Sequence, residues 1–186
     1  PLDLWRVVQD LQAALPRDAI VTNGAGNYAS WAHRFWRYGG MRTQLAPTNG
    51  AMGYGVPSGV AAKIVHPERI VVTFAGDGEF MMTGQELATA VQYGAGIVIL
   101  VFNNSMFGTI RMHQEREYPG RVSATALANP DFAAYARKSV MANARTEFQE
   151  TVWQQFAAGL RFVQGEFDDS AAYDRLAEVL AELDED

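Results

Sequence analysis

No cysteine occurs in the 186 residues. That excludes a disulfide framework and any Cys-ligated zinc site. Histidine is nearly as scarce: His33, His66 and His113 stand apart, without metal-ligand spacing. His66 precedes Pro67 in a helix-ending turn, and His113 is expected on a helix surface. Neither a Ser/His/Asp signature nor an H-E-x-x-H run is present. Long apolar runs are missing as well. The longest, residues 97–102, has the length of a strand, and nothing resembles a signal peptide or a membrane span. A cytoplasmic location is therefore expected by default, with no membrane partner. Positive charge is not in excess: 15 Lys and Arg against 21 Asp and Glu give a net charge of −6, which argues against a nucleic-acid partner. The chain opens at Pro1 without an initiator methionine and is expected to be a fragment or a processed piece.

The length suffices for one α/β domain with a sizeable core. Short runs rich in β-branched residues alternate with stretches of helical spacing. The reading is helix 2–15, strand 19–22, helix 28–37, strand 42–46, helix 54–65, strand 69–75 and helix 83–93. It continues with strand 97–102, helix 107–114, loop 115–128, helix 130–143, helix 148–158, strand 160–164 and helix 170–183. Such alternation predicts an α/β fold, a doubly wound and mostly parallel sheet with helices on both faces. Pro57 falls in the first turn of its helix, where proline is tolerated, and Pro67 ends that helix. Trp31 and Trp36 flank His33 in an aromatic helix whose face is expected in the core or at a subunit contact.

Two turns carry the chemistry. Gly76-Asp77-Gly78 follows the apolar run 70–75, and Asn103-Asn104 follows the run 97–102. Either turn alone is an ordinary punctuation mark. In a βαβ unit, however, the carboxyl ends of both strands reach the same edge of the sheet, where ligands of open α/β sheets collect. Asp77 and Asn104 should then meet. One carboxylate, one amide oxygen and a glycine-rich turn suit Mg²⁺, which takes oxygen ligands and shares them with phosphate and water. The glycines and the following helix N-terminus suit phosphate oxygens. The inferred ligand is a Mg²⁺-bridged phosphate compound, a diphosphate in form.

This pair of turns resembles the thiamine diphosphate (ThDP) motif, GDG followed by some two dozen residues and NN. The stretches 49–57, 114–121 and 128–132 match in addition. Over about residues 1–137 the chain is similar to the C-terminal cofactor-binding domain of the acetolactate synthase, benzoylformate decarboxylase and pyruvate decarboxylase family, with the strongest likeness to acetolactate synthase. The resemblance implies the ThDP-binding fold. It implies that Asp77 and Asn104 bind Mg²⁺ through their side chains and Met106 through its main-chain oxygen. Gly78 and Glu79 would offer backbone N–H groups to the diphosphate, within the turn that Gly76 opens. The family more often has a small residue at position 79, so the backbone role is expected to survive with the side chain turned away. Gly50 falls where a backbone carbonyl meets the pyrimidine amino group. Met52 falls at the bulky wedge beneath the bent cofactor; core packing is the alternative for any one methionine, and its position within the matching loop favours the wedge. The first βα turn, Asn23-Gly24-Ala25-Gly26-Asn27, has Ala25 and Gly26 where relatives carry glutamine and histidine. Gly24 backbone and Asn27 would substitute.

The composition changes along the chain. Residues 138–186 carry four bases and eleven acids, a net of −7, whereas residues 1–137 carry a net of +1. All seven prolines precede residue 138. From Ala144 to Asp169 the chain resembles a helix-strand-helix segment of glucose-6-phosphate dehydrogenase, without that family's dinucleotide loop or lysine motif. No dehydrogenase activity is implied. The stretch 138–186 reads either as an atypical tail completing the same domain or as a fusion at about residues 131–140, and the fusion is favoured. Its last helix would end on Asp184-Glu185-Asp186, opposing the helix dipole.

The resemblance implies a ThDP- and Mg²⁺-binding domain of a 2-keto-acid-converting enzyme. The glutamate that activates the pyrimidine comes, in this family, from a separate pyrimidine-binding domain, usually on a partner subunit. No catalytic acid or base is therefore assigned here, activity of the chain alone is not expected, and the parent enzyme is expected to be a homo-oligomer. The alternative is a non-catalytic or defective fusion fragment that keeps only the fold. A nicotinamide dehydrogenase is disfavoured by the absent G-x-G-x-x-G.

Overall fold

Parallel strands cannot be joined by tight turns; each pair needs a crossover of a dozen residues or more. The helical stretches between the apolar runs supply those crossovers. The computed structural model describes residues 3–158 together with residue 175. In chain order the elements are α1 (Leu4–Ala14), β1 (Ile20–Asn23), α2 (Ala29–Phe35), β2 (Gln44–Leu45), α3 (Gly55–Val65) and β3 (Val71–Gly76). Then come α4 (Asp77–Thr83), a 3₁₀ turn (Gly84–Glu86), α5 (Leu87–Tyr93), β4 (Val98–Phe102), α6 (Gly108–Glu117), α7 (Phe132–Asn143) and α8 (Glu150–Ala158). The expected strand 160–164 and helix 170–183 lie outside the described residues.

The four strands form one parallel sheet in the order β2-β1-β3-β4. From β1 the chain moves one way to β2, then crosses back past β1 to β3 and on to β4. The direction reverses between β1 and β3, and the crevice at their carboxyl ends is the switch point of the sheet. Alternate residues serve opposite faces. Val21, Val72 and Phe74 pack with Val7, Val8, Leu11, Ala32 and Trp36 under α1 and α2. Ile20, Val71 and Ile97 pack with Val60, Ala62 and Ala90 under α3 and α5. Further along this second face, Ala75 joins Val56, Phe80, Leu87, Ala136, Val140 and Trp153. Residues beyond 137 thus share a core cluster with residues of α3 and α4.

Helix α3 lies unusually close to the sheet. A Cβ on Gly59 would fall 2.3 Å from Thr73 Oγ1, so only glycine lets the backbone approach. The two buried threonine hydroxyls, Thr22 and Thr73, are 2.8 Å apart, and Thr22 donates to Gly55 O at 3.0 Å. That bond pins the start of α3 to the carboxyl half of β1.

Two expectations change. The sequence predicts a turn at Gly76-Asp77-Gly78 and no helix between strand 69–75 and helix 83–93, yet α4 begins on Asp77, and α5 begins only at Leu87 after the 3₁₀ turn. Glycine disfavours a helix, but Asp77 and Glu79 suit a helix N-terminus. Phe80 then locks it, edge-on to Phe132 and Tyr135 at 5.7 and 5.9 Å. The strand expected over 42–46 shrinks to Gln44–Leu45, because Arg42 takes a left-handed φ of 62°. Among the described residues no helix is long and apolar enough to cross a membrane.

Tyr38 packs against the α1–α2 side of the core, and its buried hydroxyl has no hydrogen-bond partner among the described residues. Burial pushes that hydroxyl up to about 12. An unpartnered hydroxyl contributes no bond, so Tyr38→Phe should leave stability unchanged or raise it by about 1 kcal/mol in denaturant unfolding. The pH dependence has a definite sign. The folded state holds the proton more tightly than the unfolded state, so this contribution is intact below the ordinary tyrosine value of 10.0 and is lost as pH rises toward about 12. Unfolding curves in that window should show the Phe variant losing less stability than the parent.

Candidate functional site

Strands β3 and β4 run in register from Val72 opposite Val98 to Gly76 opposite Phe102. Asp77 and Asn103 are the residues that directly follow the two strands, so both turns identified in the sequence leave the sheet side by side. Gly76 caps α4 with extended backbone, and no side chain caps the helix. The first N–H groups of a helix have no partner within it, and α4 starts directly at the carboxyl end of β3. Asp77 is almost wholly buried at 3 % exposure.

A third segment ties the two turns together. Asn129 Nδ2 donates to Asp77 Oδ2 at 2.7 Å and to Asn103 Oδ1 at 2.8 Å. Asn103 Oδ1 also accepts from the Ser105 N–H at 3.1 Å, and Asn104 Oδ1 accepts from the Met106 N–H at 3.1 Å. These two side-chain-to-backbone bonds shape the 103–106 turn, and Ser105 between them adopts a left-handed φ of 55°. Met106 then pairs with Ala126 across an isolated antiparallel bridge, and its carbonyl accepts from the Gly108 N–H at 3.0 Å. The hydrogen bonds therefore join Asp77 to Asn103 through Asn129, while the Asn104 oxygen is turned along its own chain toward Met106.

At the switch point a second cluster lies under the first βα turn. Glu79, 1 % exposed, extends its carboxylate inward rather than to solvent. The Tyr28 hydroxyl donates to Glu79 Oε2, and the Gly55 N–H donates to Oε1 at 3.1 Å. A Cβ on Gly24 would lie 1.7 Å from that Oε1, so the carboxylate fills the room the glycine leaves. Tyr28 stacks on Phe102 at 5.6 Å, and Phe102 stacks on Phe74 at 5.6 Å. Burial pushes the Glu79 carboxyl up, against the lowering effect of the bonds from Tyr28 and from the backbone of Gly55, Gly53 and Gly76. Burial, and then the neighbouring Glu79, drive the Tyr28 hydroxyl far above the usual tyrosine range.

The other expected residues surround these two clusters. Asn27 is exposed, and its Oδ1 accepts from Thr109 Oγ1 at 3.0 Å, joining the first βα turn to α6. Gly108 lies between Asn27 and Asn104: a Cβ there would be 4.0 Å from Asn27 Nδ2 and 3.2 Å from Asn104 Nδ2. Gly78 is buried against Phe107. Gly50 is exposed and Met52 half-buried on the loop before α3. That loop rests on the end of α4, where a Cβ on Gly53 would stand 3.0 Å from Thr83 Cγ2. His33 Nε2 lies 3.1 Å from Asn23 Oδ1, His66 pairs with Glu68, and exposed His113 meets Arg116. Among the described residues no three His, Cys, Asp or Glu side chains gather in one place.

Two contributors were not singled out from the sequence, and a third was given only part of its role. Asn129 lay in a matching stretch without a role. Tyr28 was counted with an aromatic face. Glu79 was credited with its backbone alone. A glycine on one turn and a large acid on the next are complementary in volume, but only the fold reveals that they touch.

A family model described as thiamine pyrophosphate enzyme, C-terminal TPP binding domain, matches residues 24–164. The chain is 39% identical over 121 residues to an acetolactate synthase of Arthrospira platensis, covering 64% of this chain and 21% of the relative. It is 36% identical over 135 residues to the mitochondrial acetolactate synthase catalytic subunit of Saccharomyces cerevisiae, covering 72% and 20%. With the acetolactate synthase large subunit of Parasynechococcus marenigrum it shares 34% identity over 163 residues, covering 87% and 26%. The chain thus spans a fifth to a quarter of the length of these relatives, and the family match continues past residue 137.

Asn129 bridges the ends of β3 and β4, so its removal should be felt as lost stability. Asn129→Ala is expected to cost about 1–2 kcal/mol in denaturant unfolding. Asn129→Asp should cost more, because it sets a second carboxylate beside buried Asp77. Equal losses would mean that the amide does not serve Asp77.

Proposed function

Because the chain belongs to the thiamine pyrophosphate enzymes, as their C-terminal TPP-binding domain, we propose that it holds thiamine diphosphate with Mg²⁺ at the carboxyl edge of β3 and β4. In this reading it is the cofactor-holding part of an acetolactate-synthase-like enzyme acting on small 2-keto acids. The observation that carries the proposal is the register that ends with Gly76 opposite Phe102, which sets Asp77 beside Asn103-Asn104.

The residues suit the group. A site with one carboxylate and otherwise neutral oxygens favours a hard cation that keeps positions for phosphate and water. It disfavours a nitrogen- and sulfur-bound transition metal. Asp77 would supply the negative charge, Asn104 an amide oxygen and Met106 a main-chain oxygen. For Asn104 to do so, its oxygen must serve the cation as well as, or in place of, the Met106 N–H. The uncapped N–H groups at the start of α4, those of Gly78 and Glu79, suit diphosphate oxygens. Gly24 and Asn27 border the same edge from the first βα turn, and Gly50 and Met52 would meet the pyrimidine from the loop before α3.

When bound, thiamine diphosphate supplies the electron sink that decarboxylation of a 2-keto acid requires. The residues of this chain bind and orient it. None is assigned the activation of the pyrimidine, a role given to a glutamate of a pyrimidine-binding domain or partner subunit.

Calorimetric titration with ThDP tests the reading. Binding should need Mg²⁺ and vanish on chelation. Asp77→Asn should weaken Mg²⁺-dependent binding by about 100-fold or more, since even outer-shell changes cost metal sites 10–100-fold. Binding that ignores Mg²⁺ would overturn the metal assignment. No binding heat in either condition would favour a fragment that keeps only the fold.

A further inference from the structure

Glu79 is an unexpected residue for its position. It stands within the turn that would offer backbone N–H groups to a diphosphate, yet it carries a large acidic side chain. The structure turns that side chain away from the start of α4 and into the switch point between β1 and β3. There it reaches two separate segments. It accepts from the Tyr28 hydroxyl on the first βα turn and from the Gly55 N–H at the start of α3. It also occupies the space that a Cβ on Gly24 would need, at 1.7 Å from its Oε1. Gly24, Tyr28, Gly55 and Glu79 belong to three segments that converge on the candidate cofactor site. The Thr22 hydroxyl donates to Gly55 O, so the first residue of α3 is gripped from β1 by its carbonyl and from α4 by its N–H.

We propose that Glu79 is a positioning residue for the cofactor site, its side chain holding the first βα turn and the start of α3 against the N-terminus of α4, with Gly24 as its obligatory partner. The proposal rests on the ThDP reading for what the site holds, but not for the contact itself. Bulk at position 79 and its absence at position 24 form one unit. A chain with a small residue at 79 would need another means of fixing the same three segments.

A cycle of variants on the full chain separates the possibilities. Gly24→Ala alone should lower the thermal midpoint by about 5 °C or more, because the new methyl overlaps a buried carboxylate. In a Glu79→Ser background the same change should cost much less, since the obstructing atoms are gone. Hydrogen exchange should show the Gly55 amide losing protection in Glu79→Ser while Glu79→Gln largely retains it, because the amide oxygen still accepts.

Calorimetry well below each midpoint provides the readout that a merely structural residue would not move. ThDP affinity in the presence of Mg²⁺ should fall about tenfold in Glu79→Ser and recover in Glu79→Gln. Equal ThDP affinity in parent and Glu79→Ser would overturn the positioning role. Equal cost of Gly24→Ala in both backgrounds would overturn the pairing. If Gly24→Ala does not fold, the Ser and Gln variants still decide through exchange and affinity. If the parent binds no ThDP, the cofactor reading fails and the positioning role with it. The midpoint cycle and the exchange data then report whether the Gly24–Glu79 contact survives as a purely structural one.

Discussion

The in-register pairing of three parallel strands governs everything at the carboxyl edge. β1, β3 and β4 are aligned through backbone hydrogen bonds, and a slip of one residue would turn every side chain to the opposite face. The alternation on β3 makes such a slip costly: Val72 and Phe74 serve one core, Val71 and Ala75 the other. Because both faces are buried, register is specified twice over. The position of Asp77 relative to Asn103 is then a consequence of apolar packing far from the polar groups themselves.

On that edge the polar residues form two clusters. One spans the ends of β3 and β4, where Asn129 joins Asp77 to Asn103. The other fills the crevice between β1 and β3, where Glu79 meets Tyr28, Gly55 and the bare backbone of Gly24. Phe102 connects them, closing the first strand pair and stacking on Tyr28 of the second cluster. A buried carboxylate is costly unless it is hydrogen-bonded. Each cluster meets that requirement with donors from a different chain segment, so each also fixes a loop.

The fold class and nearly every element within the described residues were legible from apolar runs and helical spacing, because period and length are local properties. That the two turns leave the sheet side by side was legible too, since βαβ topology leaves few alternatives, but the hydrogen bonds link Asp77 to Asn103 through Asn129 and not to Asn104. What escaped was non-local. Helix α4 is too short to show a period, and Gly78 with the flanking Gly76 and Gly84 hides it; Phe80 stabilises it through partners some fifty residues later. The role of Asn129 depends on a loop returning to the sheet. The inward course of Glu79 depends on a missing side chain at Gly24. Propensity and spacing carry no information about which empty volume a side chain will enter.

Helix α6 buries none of its residues. It is held at its start by Thr109 against Asn27, and further on by Gln114, which exchanges hydrogen bonds with the Ser123 backbone. Segments with few buried apolar contacts open locally at a small fraction of the global free energy. The carboxyl edge is therefore mechanically unequal. Asp77 and Glu79 stand on the stiff side, rooted in the core by Phe80, whereas Asn104 and Met106 lie on the strand of chain leading into α6. A ligand spanning both would lose little entropy on the first side and most of its ordering cost on the second. Its affinity would then be set as much by what lies over α6 as by the atoms that touch it.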